Sequence, residues 1–269
     1  MIDNAVASCL ICGSTDEPTV EHIVPQALWG RLGLDPDHSN LARYRTALCY
    51  THNAATSALH RRAEVLDLIT TGEPVTKRSL TQLADWAVWV TLLLGLATGD
   101  GVLPEQEARR LLEGRFDGRE GGGPPPGIRV YVARVSKYVK ATTFVSHMVG
   151  VKQAEDILID YAGRPAGING MTGPVTASDS IGLNNIAILV LSRTYSSGPG
   201  HKARLDAAAK TVGLDLIHPP VGQIPELVPR PIDIAAISQV FVPVLEGTDT
   251  SLLPAPVRSL VDMVVPRRG

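Results

Sequence analysis

Two short pairs of cysteine and histidine residues constrain the fold of this chain more than any other feature of its sequence. Two residues separate the members of each pair, which is the spacing of ligands in tetrahedral zinc sites. The pairs are Cys9 with Cys12 and Cys49 with His52, and they use all three cysteines of the chain. The pattern predicts a closed structural zinc site that holds the N-terminal segment against residues near position 50 and leaves no open position for a substrate.

The sequence around these pairs predicts a β-hairpin followed by a helix. Residues 20–24 alternate as in a short strand, residues 26–40 have the composition of a loop, and residues 41–48 predict a second strand. We expect a helix from residue 53 to about residue 70, closed by Gly72. A unit of this size buries too little apolar surface to be stable alone, and metal binding can supply the deficit.

The composition is that of a globular protein with no overall preference for a polyanion. The chain has 269 residues, of which 44% are hydrophobic and 19% charged, and its net charge is −2. Residues 1–78 are themselves slightly acidic. Contacts with nucleic acid would therefore need local clusters of arginine, and the candidates are Arg43 with Arg45 and Arg61 with Arg62.

The cysteine count and the N-terminal sequence predict a cytoplasmic protein. Three cysteines do not suit a disulfide framework, and no basic start is followed by an apolar run, as a secretory signal would require. The most apolar segment, residues 86–97, is shorter than the roughly 20 residues that cross a bilayer. We interpret it as a buried helix and predict no membrane partner.

The whole chain is predicted to be α+β and to have four parts. A zinc-stapled module over residues 1–72 is followed by a helical connector packed on it over 73–117, a Gly/Pro linker over 118–127 and an α+β domain over 128–269. The connector contains predicted helices at 79–98 and 105–112. The last part has a largely antiparallel sheet with strands predicted at 128–135, 140–145, 156–161 and 186–193, and a helix at 202–212.

Three polar residues near the zinc ligands have the chemistry of a metal-dependent hydrolase. Glu21 and His22 lie together at the end of the first predicted strand, and Asn53 directly follows a zinc ligand. An imidazole can accept a proton from water near neutral pH, while carboxylate and amide oxygens suit Mg²⁺ or another divalent cation. Such a set can hydrolyse a phosphodiester. The simpler alternatives are a helix N-cap for Asn53 and a polar strand residue for His22.

Residues 9–69 resemble the HNH nucleases of the ββα-metal fold, in the subset that carries a zinc staple. The resemblance implies that Glu21 is a metal ligand, that His22 is the general base and that Asn53 is the second metal ligand. It also implies that Asn40, in the sequence Asn40-Leu41, fixes the loop that orients the base. The implied cofactors are a structural zinc ion and a catalytic Mg²⁺ or Mn²⁺.

Two positions depart from the family's pattern. The last zinc ligand is a histidine where the family more often has cysteine, and zinc accepts either ligand. The family's final histidine lies within one turn of the second ligand pair, where this chain has Thr56 and Ser57. His60 lies about 10 Å beyond Asn53 along a helix, so we expect it, with Arg61, to contact a substrate phosphate. The alternative is that His60 is a solvated helix residue.

The predicted function is that of a metal-dependent endonuclease acting on DNA, with RNA left open as a substrate. Residues 128–269 would recognise a target or a partner, and their low charge favours a protein or a small ligand. One alternative is a non-catalytic zinc-binding adaptor that presents the arginine clusters to nucleic acid. Another is an inactive nuclease fold used for protein interaction, which the missing histidine leaves open.

Overall fold

The computed structural model describes most of the first half of the chain and the strands of the second half. The described residues are 8–32, 44–61, 65–99, 105–114, 124, 127–134, 143–151, 175–183, 186–194, 203, 206–207, 209–210, 213–220, 222–229 and 241–243.

The N-terminal part contains the predicted hairpin. Strand β1 (Thr19–His22) pairs antiparallel with β2 (Arg45–Leu48), with Glu21 opposite Thr46 and His22 opposite Arg45. The prediction of a loop from residue 26 is wrong, because helix α1 (Gln26–Leu32) begins there. Its Leu28 is buried, and this burial stabilises a helix that the local sequence, with Gly30 inside it, does not indicate.

The helix expected after the hairpin is present as two segments. Helix α2 (Tyr50–Arg61) begins directly after Cys49, and α3 (Val65–Thr71) ends at Gly72, whose φ is +81°. The backbone N–H of Asn53 already bonds to the carbonyl of Cys49 at 2.9 Å. Asn53 is therefore inside α2, and its interpretation as the N-cap is wrong.

Helix α4 (Lys77–Thr98) is the most deeply buried element. Thr76 is its N-cap and forms a capping box with Ser79, and Gly99 ends it in the left-handed conformation. It has the length and composition of a membrane span, but 78% of its most apolar window is buried inside the protein. Trp86 and Trp89 are core residues, as predicted.

The second half contains a six-stranded sheet in which every described pairing is antiparallel. Its strands, in the spatial order β7, β3, β6, β5, β4 and β8, are Asp215–His218, Arg129–Arg134, Ile186–Thr194, Val175–Leu183, Thr143–Val151 and Phe241–Pro243. The predicted strands near 128, 140 and 186 are confirmed, whereas the one at 156–161 lies outside the described residues. Strand β5 was missed because its sequence is rich in small polar residues, and pairing on both sides holds it extended.

Helix α4 joins the two halves. It contacts α2, α3 and α5 (Glu105–Glu113) on one side and β3, β6 and β7 on the other. A single hydrophobic cluster runs from Cys9 through α4 to Val130 and Ile188 in the sheet. The hairpin and its helix are therefore packed against a rigid core that the rest of the chain shares.

Candidate metal centre

The four predicted zinc ligands lie together. Their ligand atoms are all within 4.8 Å of one another. The Sγ atoms of Cys12 and Cys49 are 3.9 Å apart, and His52 Nδ1 is 3.3 Å from Cys9 Sγ and 3.1 Å from Cys49 Sγ. Zinc bonds of about 2.3 Å to sulfur and 2.0 Å to nitrogen give tetrahedral edges of roughly 3.8 and 3.5 Å. The cluster could therefore hold a metal ion such as zinc.

Backbone hydrogen bonds shape the turn that carries the first two cysteines. Cys9 N–H donates to the Ser14 carbonyl at 2.7 Å, and Gly13 N–H donates to the Cys9 carbonyl at 2.8 Å. Gly13 has a φ of +73°, which favours glycine. Leu10 N–H donates to the Ala47 carbonyl at 2.9 Å, so this turn is attached to β2 just before the second pair begins.

The surroundings of the cluster shift the pKa values of its ligands in different directions. Burial opposes ionisation of the Cys9 thiol, but backbone N–H groups of Cys12, Cys49 and Ile11 donate to its sulfur and the net effect lowers its pKa. Burial, together with the adjacent Cys9 thiol, raises the pKa of Cys12 to about 11. Burial lowers the pKa of His52 and keeps its ring neutral. A divalent cation would remove the opposition to a second thiolate beside Cys9.

An arginine from a distant helix supports the cysteine turn. Arg109, in α5, donates from one guanidinium nitrogen to the carbonyls of Leu10 and Ile11, the latter at 3.1 Å, and forms an ion pair with Glu105 at 2.8 Å. The guanidinium therefore holds the backbone of the cysteine turn in place from outside the ligand set. The sequence contained no signal for this contact because almost one hundred residues separate its partners.

Two of the predicted cation ligands, from different elements, are in contact. Asn53 Nδ2 donates to Glu21 Oε1 at 3.1 Å and to Thr19 Oγ1 at 2.9 Å. Thr19 and Glu21 are two residues apart on β1, so both side chains lie on the face of the hairpin that meets α2. His52, the residue before Asn53, belongs to the Cys/His cluster, so a metal bound there would fix this turn of α2 beside Glu21.

His22 lies on the opposite face of β1. Its Nε2 accepts a hydrogen bond from Arg45 Nε at 3.1 Å, and the edge of its ring meets Trp29 with the ring centroids 5.0 Å apart. Burial, followed by the charge of Arg45, lowers the pKa of His22, and Glu21 opposes this change. Trp29 is in turn held by a 2.9 Å hydrogen bond to the Val24 carbonyl. Arg45 and Trp29 are therefore neighbours of His22 that the sequence did not indicate.

The other predicted site residues either lie outside the described residues or are on α2. Asn40 lies outside the described residues, as do Arg43 and Arg62. Arg61 is exposed at the end of α2. His60 does not face solvent, because its Nδ1 accepts from Trp86 Nε1 at 3.1 Å and its Nε2 is buried without a hydrogen-bond partner among the described residues. Its position between α2 and α4 contradicts the interpretation as a solvated residue, and its contact with a substrate phosphate stays a prediction.

A buried polar network lies in the other half of the molecule. Arg129 and Tyr131, on one face of β3, both donate to the carboxylate of Asp206, with Tyr131 Oη at 2.8 Å from Asp206 Oδ1. Burial and the carboxylate raise the pKa of Tyr131. These three side chains bond to one another, so the network attaches the helical residues near 206 to the sheet.

The chain matches no protein-family model, and comparisons with curated proteins and with solved structures give no significant match.

Proposed function

We propose that this chain is a metal-dependent endonuclease of the HNH type that hydrolyses phosphodiester bonds of DNA. One observation carries the proposal. The side chains of Glu21 and Asn53, from a hairpin strand and the following helix, are in contact 3.1 Å apart, and a Cys/His cluster adjoins the helix residue. Carboxylate and amide oxygens are ligands for Mg²⁺ or Mn²⁺. Zinc at the Cys/His cluster has a structural role in this proposal.

The Asn53 side chain can serve this cation site once its amide is rotated, because only the amide oxygen can bind a cation. It points its Nδ2 at Glu21, and a rotation of the amide group would present the oxygen in the same place. Thr19 Oγ1, which accepts from Asn53, is a hydroxyl and can donate instead. The surroundings of Asn53 therefore fit a cation ligand, because neither orientation leaves the amide without a partner at Thr19.

His22 is the proposed general base. Its lowered pKa keeps the ring neutral at pH 7, so it can accept a proton from water. Because His22 is the last residue of β1, a phosphodiester at this strand end lies within reach of both faces of the strand. Arg45, which donates to His22 Nε2, would turn to the phosphate and leave that nitrogen free. The bound divalent cation would neutralise the charge that develops on the phosphate.

A second candidate function is that of a non-catalytic zinc-binding adaptor for nucleic acid or protein. It is favoured by the contacts of His22, whose Nε2 is already occupied by Arg45 and whose ring packs on Trp29. A strand residue with only a structural role would have such contacts.

Cleavage of supercoiled plasmid DNA tests the proposal. Zinc-loaded wild-type protein should nick the plasmid with Mg²⁺ or Mn²⁺, and His22→Ala and Glu21→Gln should each lower the rate by about 10²-fold or more while keeping zinc and fold. Glu73→Gln, which changes an exposed carboxylate elsewhere, is the matched control and should cut normally. Full activity of both site variants would refute the assignment. Binding of DNA or RNA without any cleavage would favour the adaptor.

A further inference from the structure

A buried hydroxyl without a partner lies beside the proposed cation ligands. Thr46, on β2, is 6% exposed, and its Oγ1 has no hydrogen-bond partner among the described residues. Thr46 is paired directly with Glu21 across the hairpin. Side chains of directly opposite residues in an antiparallel pair lie on the same face, with Cβ atoms about 5 Å apart. The Thr46 side chain therefore lies on the same face as Glu21, the face that meets α2.

The other hydroxyls around this face are satisfied. Thr19 Oγ1 accepts from Asn53, and Thr56 Oγ1 donates to the His52 carbonyl at 2.7 Å. The Thr46 hydroxyl has no such partner among the described residues, although Thr46 is about as buried as Thr56, whose exposed fraction is 4%. A buried polar atom left unpaired destabilises a fold by about 1–3 kcal/mol. A valine of the same shape would avoid this cost, and a bound water or ligand could satisfy the hydroxyl.

We propose that Thr46 is a positioning residue of the divalent-cation site, and that its hydroxyl makes an outer-sphere hydrogen bond to the hydrated cation held by Glu21 and Asn53. This inference rests on the proposed function. Mg²⁺ and Mn²⁺ commonly keep several water ligands in protein sites, and these waters need hydrogen-bond partners. Outer contacts of this kind typically contribute 10–100-fold to metal affinity. Thr46 is buried and is paired across the hairpin with the residue whose carboxylate would hold the cation, and an outer-sphere contact requires this placement.

Binding of Mn²⁺ to the zinc-loaded full chain, followed by electron paramagnetic resonance, tests the inference without a cleavage assay. Thr46→Val should weaken Mn²⁺ binding about tenfold. Thr46→Ser, which keeps the hydroxyl, should bind within about threefold of the wild type. Thr91→Val is the matched control, because Thr91 is equally buried but its hydroxyl donates to the Val88 carbonyl within α4. It should leave Mn²⁺ binding unchanged.

Thermal unfolding of the zinc-loaded protein without Mg²⁺ or Mn²⁺ gives a second measurement, in which the sign of the stability change is informative. Thr46→Val should be at least as stable as the wild type, because it removes an unsatisfied polar atom and keeps the side-chain shape. If Thr46→Val binds Mn²⁺ as tightly as the wild type, the role of Thr46 is refuted and the cation site remains. If the wild type binds no Mn²⁺, or if Glu21→Gln binds Mn²⁺ as tightly as the wild type, the cation site is refuted. The proposed role of Thr46 is then refuted as well.

Discussion

His60 should make the folded protein sensitive to mild acid. Burial lowers its pKa from 6.5 to about 4, so as the pH falls the unfolded chain takes up a proton before the folded protein does. The stabilisation is complete above pH 6.5 and is lost as the pH falls towards 4. Between pH 8 and pH 5 this linkage lowers the free energy of unfolding by about 2 kcal/mol.

The perturbation that isolates this effect is His60→Asn. Asparagine has an oxygen near the position of the ring Nδ1, so it can still accept from Trp86, but it does not titrate. Urea unfolding of both zinc-loaded proteins at pH 8 and pH 5 gives four free energies. Acid effects on the cysteines and on other histidines are common to both proteins and cancel in the difference between them.

The expected result is that the wild type loses about 2 kcal/mol more than His60→Asn over this pH range. Equal losses in the two proteins would refute the reasoning. They would mean that His60 is hydrated in the folded protein, and the contact with a substrate phosphate would then become the better interpretation of this residue.

Two further substitutions test the turn that carries the first cysteine pair. Arg109→Ala removes the donor to the Leu10 and Ile11 carbonyls and should speed zinc transfer to a chromogenic chelator about tenfold, whereas Arg110→Ala, at an exposed position of the same helix, should not. Equal rates would show that the turn holds its metal without the arginine. Gly13→Ala should lower the free energy of unfolding by about 1 kcal/mol because of its φ of +73°, as measured by urea unfolding. Gly30→Ala, in α1 with open space around its Cβ position, should raise it by about 0.5–1 kcal/mol, and a loss of equal size at both glycines would contradict the role of backbone strain.

Much of the metal centre could be predicted because its signals are local. The spacing within each Cys/His pair brings the two members close wherever the backbone makes a tight turn or a helical turn, and the four ligand atoms do meet. The strands at 128–135 and 186–193 were predicted for the same kind of reason, since β-branched residues alternate along them. The contact between Glu21 and Asn53 follows once the Cys/His cluster holds the hairpin against the helix.

The neighbours of the site could not be predicted, because they come from elements distant in sequence. Arg109 reaches the cysteine turn from α5, and Trp86 reaches His60 from α4. Thr46 is unremarkable as a sequence letter and becomes informative only through its register with Glu21 and its lack of a partner. Packing also decided helix α1 and strand β5, where local propensity indicated other structures.

The sequence by itself therefore determined the residue types of the metal centre, the hairpin and helix that carry them, and the antiparallel character of the second half. Ligand spacing and hydrophobic periodicity involve residues that are close in sequence, so both can be read from the sequence itself. The tertiary structure alone decided which side chains are paired, buried or left without a partner. It placed His60 against Trp86, set Arg45 on His22 and enclosed α4 between the hairpin unit and the sheet, because these outcomes depend on burial by elements that are far apart along the chain.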